Sequence, residues 1–185
     1  MKISIIGPTN IEKFSAIIGK PIDEITRVMQ GIGKTLAAGH CDIVLVFDYQ
    51  GMRKTLGDAF KAAHGKTLEM LYTENDYDWN AKPHLKFLKY ADVQTKKPSW
   101  HDILLSLVSD SDIVLCAGLS AGVLAELGYM KWNYQEKRGR VKQLIGIKEL
   151  LRDGEFPPEI SYELEPITTI CSVNDLPKVL KKFNK

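Results

Sequence analysis

The chain has 185 residues, enough for one domain with a sizeable core, and its 44% hydrophobic and 26% charged residues are the balance of an ordinary folded protein. A formal net charge of +2 builds no global field that would gather nucleic acid, and no apolar run approaches the roughly 20 residues of a membrane span. Cys41, Cys116 and Cys171 are far apart and fall outside any CxxC or Cys/His spacing, which excludes a disulfide framework or a metal site and predicts buried, reduced thiols in a cytoplasmic protein.

The opening MKISIIGPTN lacks the apolar core and cleavage site of a signal peptide. Residues 2–7 read instead as a first strand, ended by Gly7-Pro8. Residues 21–39 read as a helix, with Ile22, Ile25, Val28, Met29, Ile32 and Leu36 on one stripe and Gly39 as its stop. A second strand follows at 43–47. A helix over 51–64 turns Met52, Leu56, Ala59, Phe60 and Ala63 inward, and a third strand spans 67–72.

Residues 74–98 are polar and aromatic, with Pro83 and Pro98 and no clear period. They read as a long loop or lid insertion, with a short strand at 87–93. Tyr77, Trp79 and Tyr90 there either stack on a ligand's base or pack under the loop. A helix over 99–109, N-capped by Ser99, leads to the apolar run Ile113, Val114, Leu115 of a parallel strand. After a small-residue turn, a helix runs over 121–134; its Tyr129, Met130 and Trp132 suit the core or a dimer face. A basic exposed loop at 137–142, a strand at 143–147, a Pro-broken stretch over 148–166, a last strand at 167–171 and a C-terminal helix complete the chain. The alternation predicts a single domain over 1–185, a largely parallel sheet with helices on both faces.

In such sheets a ligand sits beyond the carboxyl ends of the strands. That collects Gly7, Thr9 and Asn10, then Asp48, Gly51 and Arg53, then Gly118, Leu119, Ser120, Ala121 and Gly122 around one crevice. The last group strips bulk from a strand-to-helix turn, so an anion can approach bare N–H groups at the positive end of a helix. Glu126, one turn further on, is a carboxylate among Leu124, Ala125, Leu127 and Gly128, and needs a partner or a ligand. Asp48 suits ribose hydroxyls or a loop cap. Thr9 and Asn10 suit helix capping or hydrogen bonds to a nucleotide. Arg53 suits a phosphate clamp or a solvated charge.

Residues 111–127 resemble the strand and loop of Lonely Guy-type phosphoribohydrolases, whose motif Pro-Gly-Gly-x-Gly-Thr-x-x-Glu falls on Gly118 to Glu126 with Gly122 and Glu126 matched. Trp100-His101-Asp102-Ile103-Leu104 falls on that family's Met-His-Glu-Arg-Lys, with His101 matched and Ile103 where the catalytic arginine stands. Gly51 to Gly65 is similar to its Gly-x-Met-Gly stretch, and residues 141–182 to its closing strand, helix, strand and helix. The resemblance implies a Rossmann-like three-layer α/β/α sandwich, no cofactor, a homodimer, and binding of a nucleotide-like small molecule. Its activity would be hydrolysis of the N-glycosidic bond of a nucleoside monophosphate, with Glu126 and His101 as catalytic residues and an oxocarbenium-like transition state facing the carboxylate. Two alternatives stand beside it. SAGVLAELGYM is similar to the nucleophile region of nucleoside deoxyribosyltransferases, and molybdenum cofactor carriers on the same scaffold imply a non-catalytic carrier or sensor.

Overall fold

The computed structural model describes residues 1–77 and 79–183. Among them seven strands form one sheet: β1 (Lys2–Ile6), β2 (Asp42–Val46), β3 (Thr67–Tyr72), β4 (Val93–Lys96), β5 (Ile113–Cys116), β6 (Gln143–Ile147) and β7 (Thr168–Cys171). Their order is β4-β3-β2-β1-β5-β6-β7 and every pair is parallel. The helices are α1 (Ile11–Ile18), α2 (Ile22–Ala38), α3 (Gly51–Ala62), α4 (Trp100–Leu107), α5 (Ala121–Gln135), α6 (Pro158–Leu164) and α7 (Leu176–Lys181). The protein is a three-layer α/β sandwich, and its sheet is wholly rather than mostly parallel.

Burial explains the central strands. All four residues of β5 are out of water, as are Ile3, Ile5 and Ile6 of β1 and Ile43 to Val46 of β2, because helices cover both faces. α2 lays Ile25, Val28, Met29, Ile32 and Leu36 on this core, while Ile22, the first residue of the expected stripe, is 40% exposed at the helix start. Ala63 also faces solvent, since α3 has ended by then. The three cysteines are free and buried, and burial raises their thiols to about 11 for Cys41 and Cys171 and about 12 for Cys116.

Two elements differ from expectation. Residues 11–18 form a helix that the sequence reading left unassigned; it is short, and of its apolar residues only Phe14 is buried. The strand expected at 87–93 forms at Val93–Lys96 instead, with Phe87 inside a run of 3₁₀ turns over Lys82–Tyr90. Asp76 starts those turns by accepting the N–H groups of Ala81 (2.8 Å) and Lys82 (3.1 Å), and Asp92 ends them by receiving the Leu68 N–H (2.8 Å) while pairing with Lys61. The segment is therefore a structured edge rather than a bare loop.

Candidate functional site

The sheet changes direction at β1, which lies between β2 and β5, so the chain leaves the carboxyl ends of these neighbours toward opposite faces and opens a crevice there. One wall is the turn after β5. Gly118 adopts φ +105, and a Cβ on it would collide with the ring of Phe14, so this position needs glycine both for its backbone and for the close seat of α1. Asn10 caps α1 by accepting the Lys13 N–H at 2.8 Å, and Ser120 caps α5 by accepting the Val123 N–H at 3.3 Å. The N–H groups of Gly118, Leu119, Ser120, Ala121 and Gly122 find no acceptor among the described residues. Gly122 is exposed, with open space around it. Bare donors at the positive end of a fifteen-residue helix are the arrangement that an anion seat requires.

The facing wall is the start of α3. Gly51, at φ +48, presses against the Thr9 carbonyl, and the Met52 N–H donates to that oxygen at 3.2 Å. Arg53 is neither a solvated charge nor an open clamp. It is 9% exposed, and its guanidinium donates to Thr9 Oγ1 (2.8 Å), Asp48 Oδ2 (3.2 Å) and the Gly7 carbonyl (3.3 Å). Asp48 in turn accepts from Thr9 Oγ1 (3.2 Å) and Gln50 Nε2 (2.6 Å) and lies 3.2 Å from His84 Nδ1. The two loops are thus tied by Thr9, Asp48 and Arg53, for which the sequence left a ligand contact or a local role open.

Glu126 is 2% exposed, and its Oε2 has no hydrogen-bond partner; Arg53 Nε is a second buried, unpartnered atom. Burial pushes the Glu126 carboxyl up to about 7, with the Arg53 charge pulling back in part. Glu126 Oε2 and Arg53 Nε are thus a buried acceptor and a buried donor that folding leaves without hydrogen-bond partners, and the Arg53 charge acts on the Glu126 carboxyl.

Beside the seat lie two clefts. One, of about 160 Å³, is lined by Pro8, Thr9, Lys13, Phe14, Leu119 and Ser120. The other, of about 350 Å³, continues past Phe14, Ile17 and Leu119 to Arg152, Phe156 and Pro158. Phe14, Ile17 and Leu119 belong to both, so a continuous apolar floor runs from the seat toward the loop after β6. The sequence reading missed Phe14, Ile17 and Phe156; their only signal was an apolar residue at each end of the Phe14–Ile17 turn.

A molybdenum cofactor carrier protein from Chlamydomonas reinhardtii is similar in structure over 98% of this chain and 96% of its own, with a TM-score of 0.67 at 14% identity. The molybdenum cofactor binding protein from the phototrophic bacterium Rippkaea orientalis is similar over 100% of this chain and 97% of its own, with a TM-score of 0.67 at 15% identity. This chain shares their Rossmann-like fold. No model of a known protein family matches the sequence, and neither does any curated protein.

The shared fold leaves the chemistry to individual side chains. Ile103, at the position of the phosphoribohydrolase arginine, is fully buried in the core. His101 is exposed on the first turn of α4, and its neighbour Trp100 stacks on Trp79 with ring centroids 4.2 Å apart. Tyr77 is 98% exposed, and Tyr90 stacks on Tyr49 at 5.4 Å. Among the described residues no group of three or more His, Cys, Asp or Glu side chains is placed to hold a metal ion, and no helix is long and apolar enough to cross a membrane.

Proposed function

We propose that this chain binds and carries a phosphorylated, nucleotide-like small molecule, the molybdenum cofactor included, without turning it over. The observation that carries the reading is the run of unpartnered N–H groups from Gly118 to Gly122 at the start of α5. They would receive the phosphate, and the apolar floor of Phe14, Ile17 and Leu119 would receive the ligand's flat or apolar part. Two facts favour a carrier over a hydrolase. Two solved structures similar to it are named as a molybdenum cofactor carrier protein and a molybdenum cofactor binding protein, and the position that the resemblance gives to the phosphoribohydrolase arginine holds a core isoleucine. The three free thiols suit a reducing, cytoplasmic setting.

Calorimetric titration and thermal shift with AMP, GMP and isolated molybdenum cofactor test this, with base release from AMP followed alongside. One of the three is expected to bind and raise the melting temperature, with base release at background. Gly122→Asp has room for its side chain and sets a carboxylate in the seat. It should abolish the shift, while the fold gains roughly 0.3–1 kcal/mol from an acid in the first turn of a helix. Base release by the wild type that Glu126→Gln removes would overturn the non-catalytic reading. Failure of all three ligands to bind would overturn the seat itself.

A further inference from the structure

At the opposite, amino-terminal edge of the sheet, the connection from α5 to β6 lines an open pocket of about 400 Å³. Its walls include Asn133, Lys137, Arg138, Arg140, Lys142 and Asp112. Four cations against one carboxylate leave a net +3 in this pocket, although the whole chain carries only +2. The single acid is already engaged: Asp112 receives the Lys2 N–H at 2.9 Å and lies 3.5 Å from an Arg140 nitrogen. Lys137, Arg138 and Lys142 find no carboxylate among the described residues. Asn133 also lines the pocket, and its Nδ2 is buried with no hydrogen-bond partner.

The loop is held in place by its backbone. The Arg138 N–H donates to the Asn133 carbonyl (2.7 Å), the Arg140 N–H to the Ser109 carbonyl (2.6 Å) and the Lys142 N–H to the Asp112 carbonyl (2.9 Å). Cations following the carboxyl end of α5 gain a little from its dipole, but that alone would not need a concave wall or a buried, unsatisfied amide. A pocket that offers donors and positive charge, with its one carboxylate engaged, favours an anion. Charge spread over six consecutive residues suits one with several phosphates better than a single carboxylate.

We propose that this pocket is a second ligand site, specific for an oligophosphate such as a pyrophosphate group. It is separate from the crevice, because β5 lies between them, roughly 13 Å of strand at the usual rise. Its occupancy therefore does not depend on the ligand of the crevice.

The experiment is calorimetric titration of the full chain with pyrophosphate at low salt, on a Gly122→Asp background so that the crevice seat cannot take the anion. Saturable one-to-one binding is expected. Arg138→Ala with Lys142→Ala should weaken it at least about tenfold, and added salt should weaken it further, because exposed charges are screened. Both side chains are exposed, so the melting temperature should stay that of the background. Absence of saturable binding overturns the proposal, as does binding that the double substitution leaves intact. Binding of tetraglutamate as tight as that of pyrophosphate would reassign the pocket to acidic peptides and overturn the oligophosphate. None of these outcomes bears on the crevice, which the AMP, GMP and cofactor titrations read by themselves.

Discussion

Glu126 is a carboxyl that folding takes out of water without giving both oxygens a partner. Arg53 and the Cys116 thiol are the titratable groups that feel its charge; Arg53 favours the ionised form but does not overcome desolvation. The sign of the resulting pH dependence follows. Below the ordinary value of 4.5 the carboxyl is protonated in both folded and unfolded chains, and it costs nothing. As pH rises toward about 7 the unfolded chain releases the proton while the folded one keeps it, so stability falls. Above that both are ionised and the loss is constant, of order 3 kcal/mol from the gap between the two values. Glu126→Gln keeps the shape and removes the charge. Relative to wild type it should gain about 2–3 kcal/mol between pH 4.5 and pH 8, read by urea unfolding at both. An equal difference at the two pH values would mean that the carboxylate is already satisfied.

The segment over residues 79–98 shows what an element adds that single residues do not. Trp79 stacks on Trp100 (4.2 Å), lies tilted against His84 (4.4 Å) and meets the edge of Phe47 at 5.3 Å, so one ring fastens the 3₁₀ turns to the core. Trp79→Ala should cost about 2–4 kcal/mol, somewhat less than full burial would imply because the ring is half-buried. Amide exchange should quicken across residues 82–96 and hardly change in β1 and β5; uniform quickening would mean that Trp79 supports the whole core. This element was also the hardest to see in the sequence. β4 is an edge strand whose Val93, Gln94 and Lys96 are exposed, so it has no apolar alternation to reveal it. The central strands were legible because burial on both faces demands continuous apolar runs. Their order was not, since nothing local says that β5 pairs with β1. At the crevice, small residues announced the turn after β5, but Arg53's reach to Thr9, Asp48 and the Gly7 carbonyl depends on two loops meeting in space. Glu126 was expected to be buried among apolar neighbours, and it is buried, yet Leu124 and Ala125 beside it are exposed. The inference reached the right residue through neighbours that do not cover it.

Those exposed neighbours matter for the whole molecule. α5 turns Val123, Glu126, Leu127 and Met130 inward, but its solvent side is not polar: Leu124 is 41%, Tyr129 44% and Trp132 59% exposed, and Leu105 of α4 is 40% exposed. A helix apolar on both sides is usually covered on both. Gly122, Ala125 and Gly128 stand between the large side chains, and open space surrounds both glycines, so another helix can come close. A two-fold pair requires a face that can fit a second copy of itself, and projections beside gaps are the features such a face uses. The expected assembly is a homodimer joined through α5. Leu124→Arg places a charge in that contact without touching the core, so the monomer should fold with its melting temperature changed only through lost association. Light scattering should give a dimer mass for the wild type at micromolar concentration and a monomer mass for the variant. A monomeric wild type, or a variant that stays dimeric, would remove α5 from any interface. The outcome also bears on the seat: Ala121 and Gly122 open the same helix, so pairing that buried its first turn would make ligand affinity depend on protein concentration, whereas pairing centred on Tyr129 and Trp132 would leave it constant.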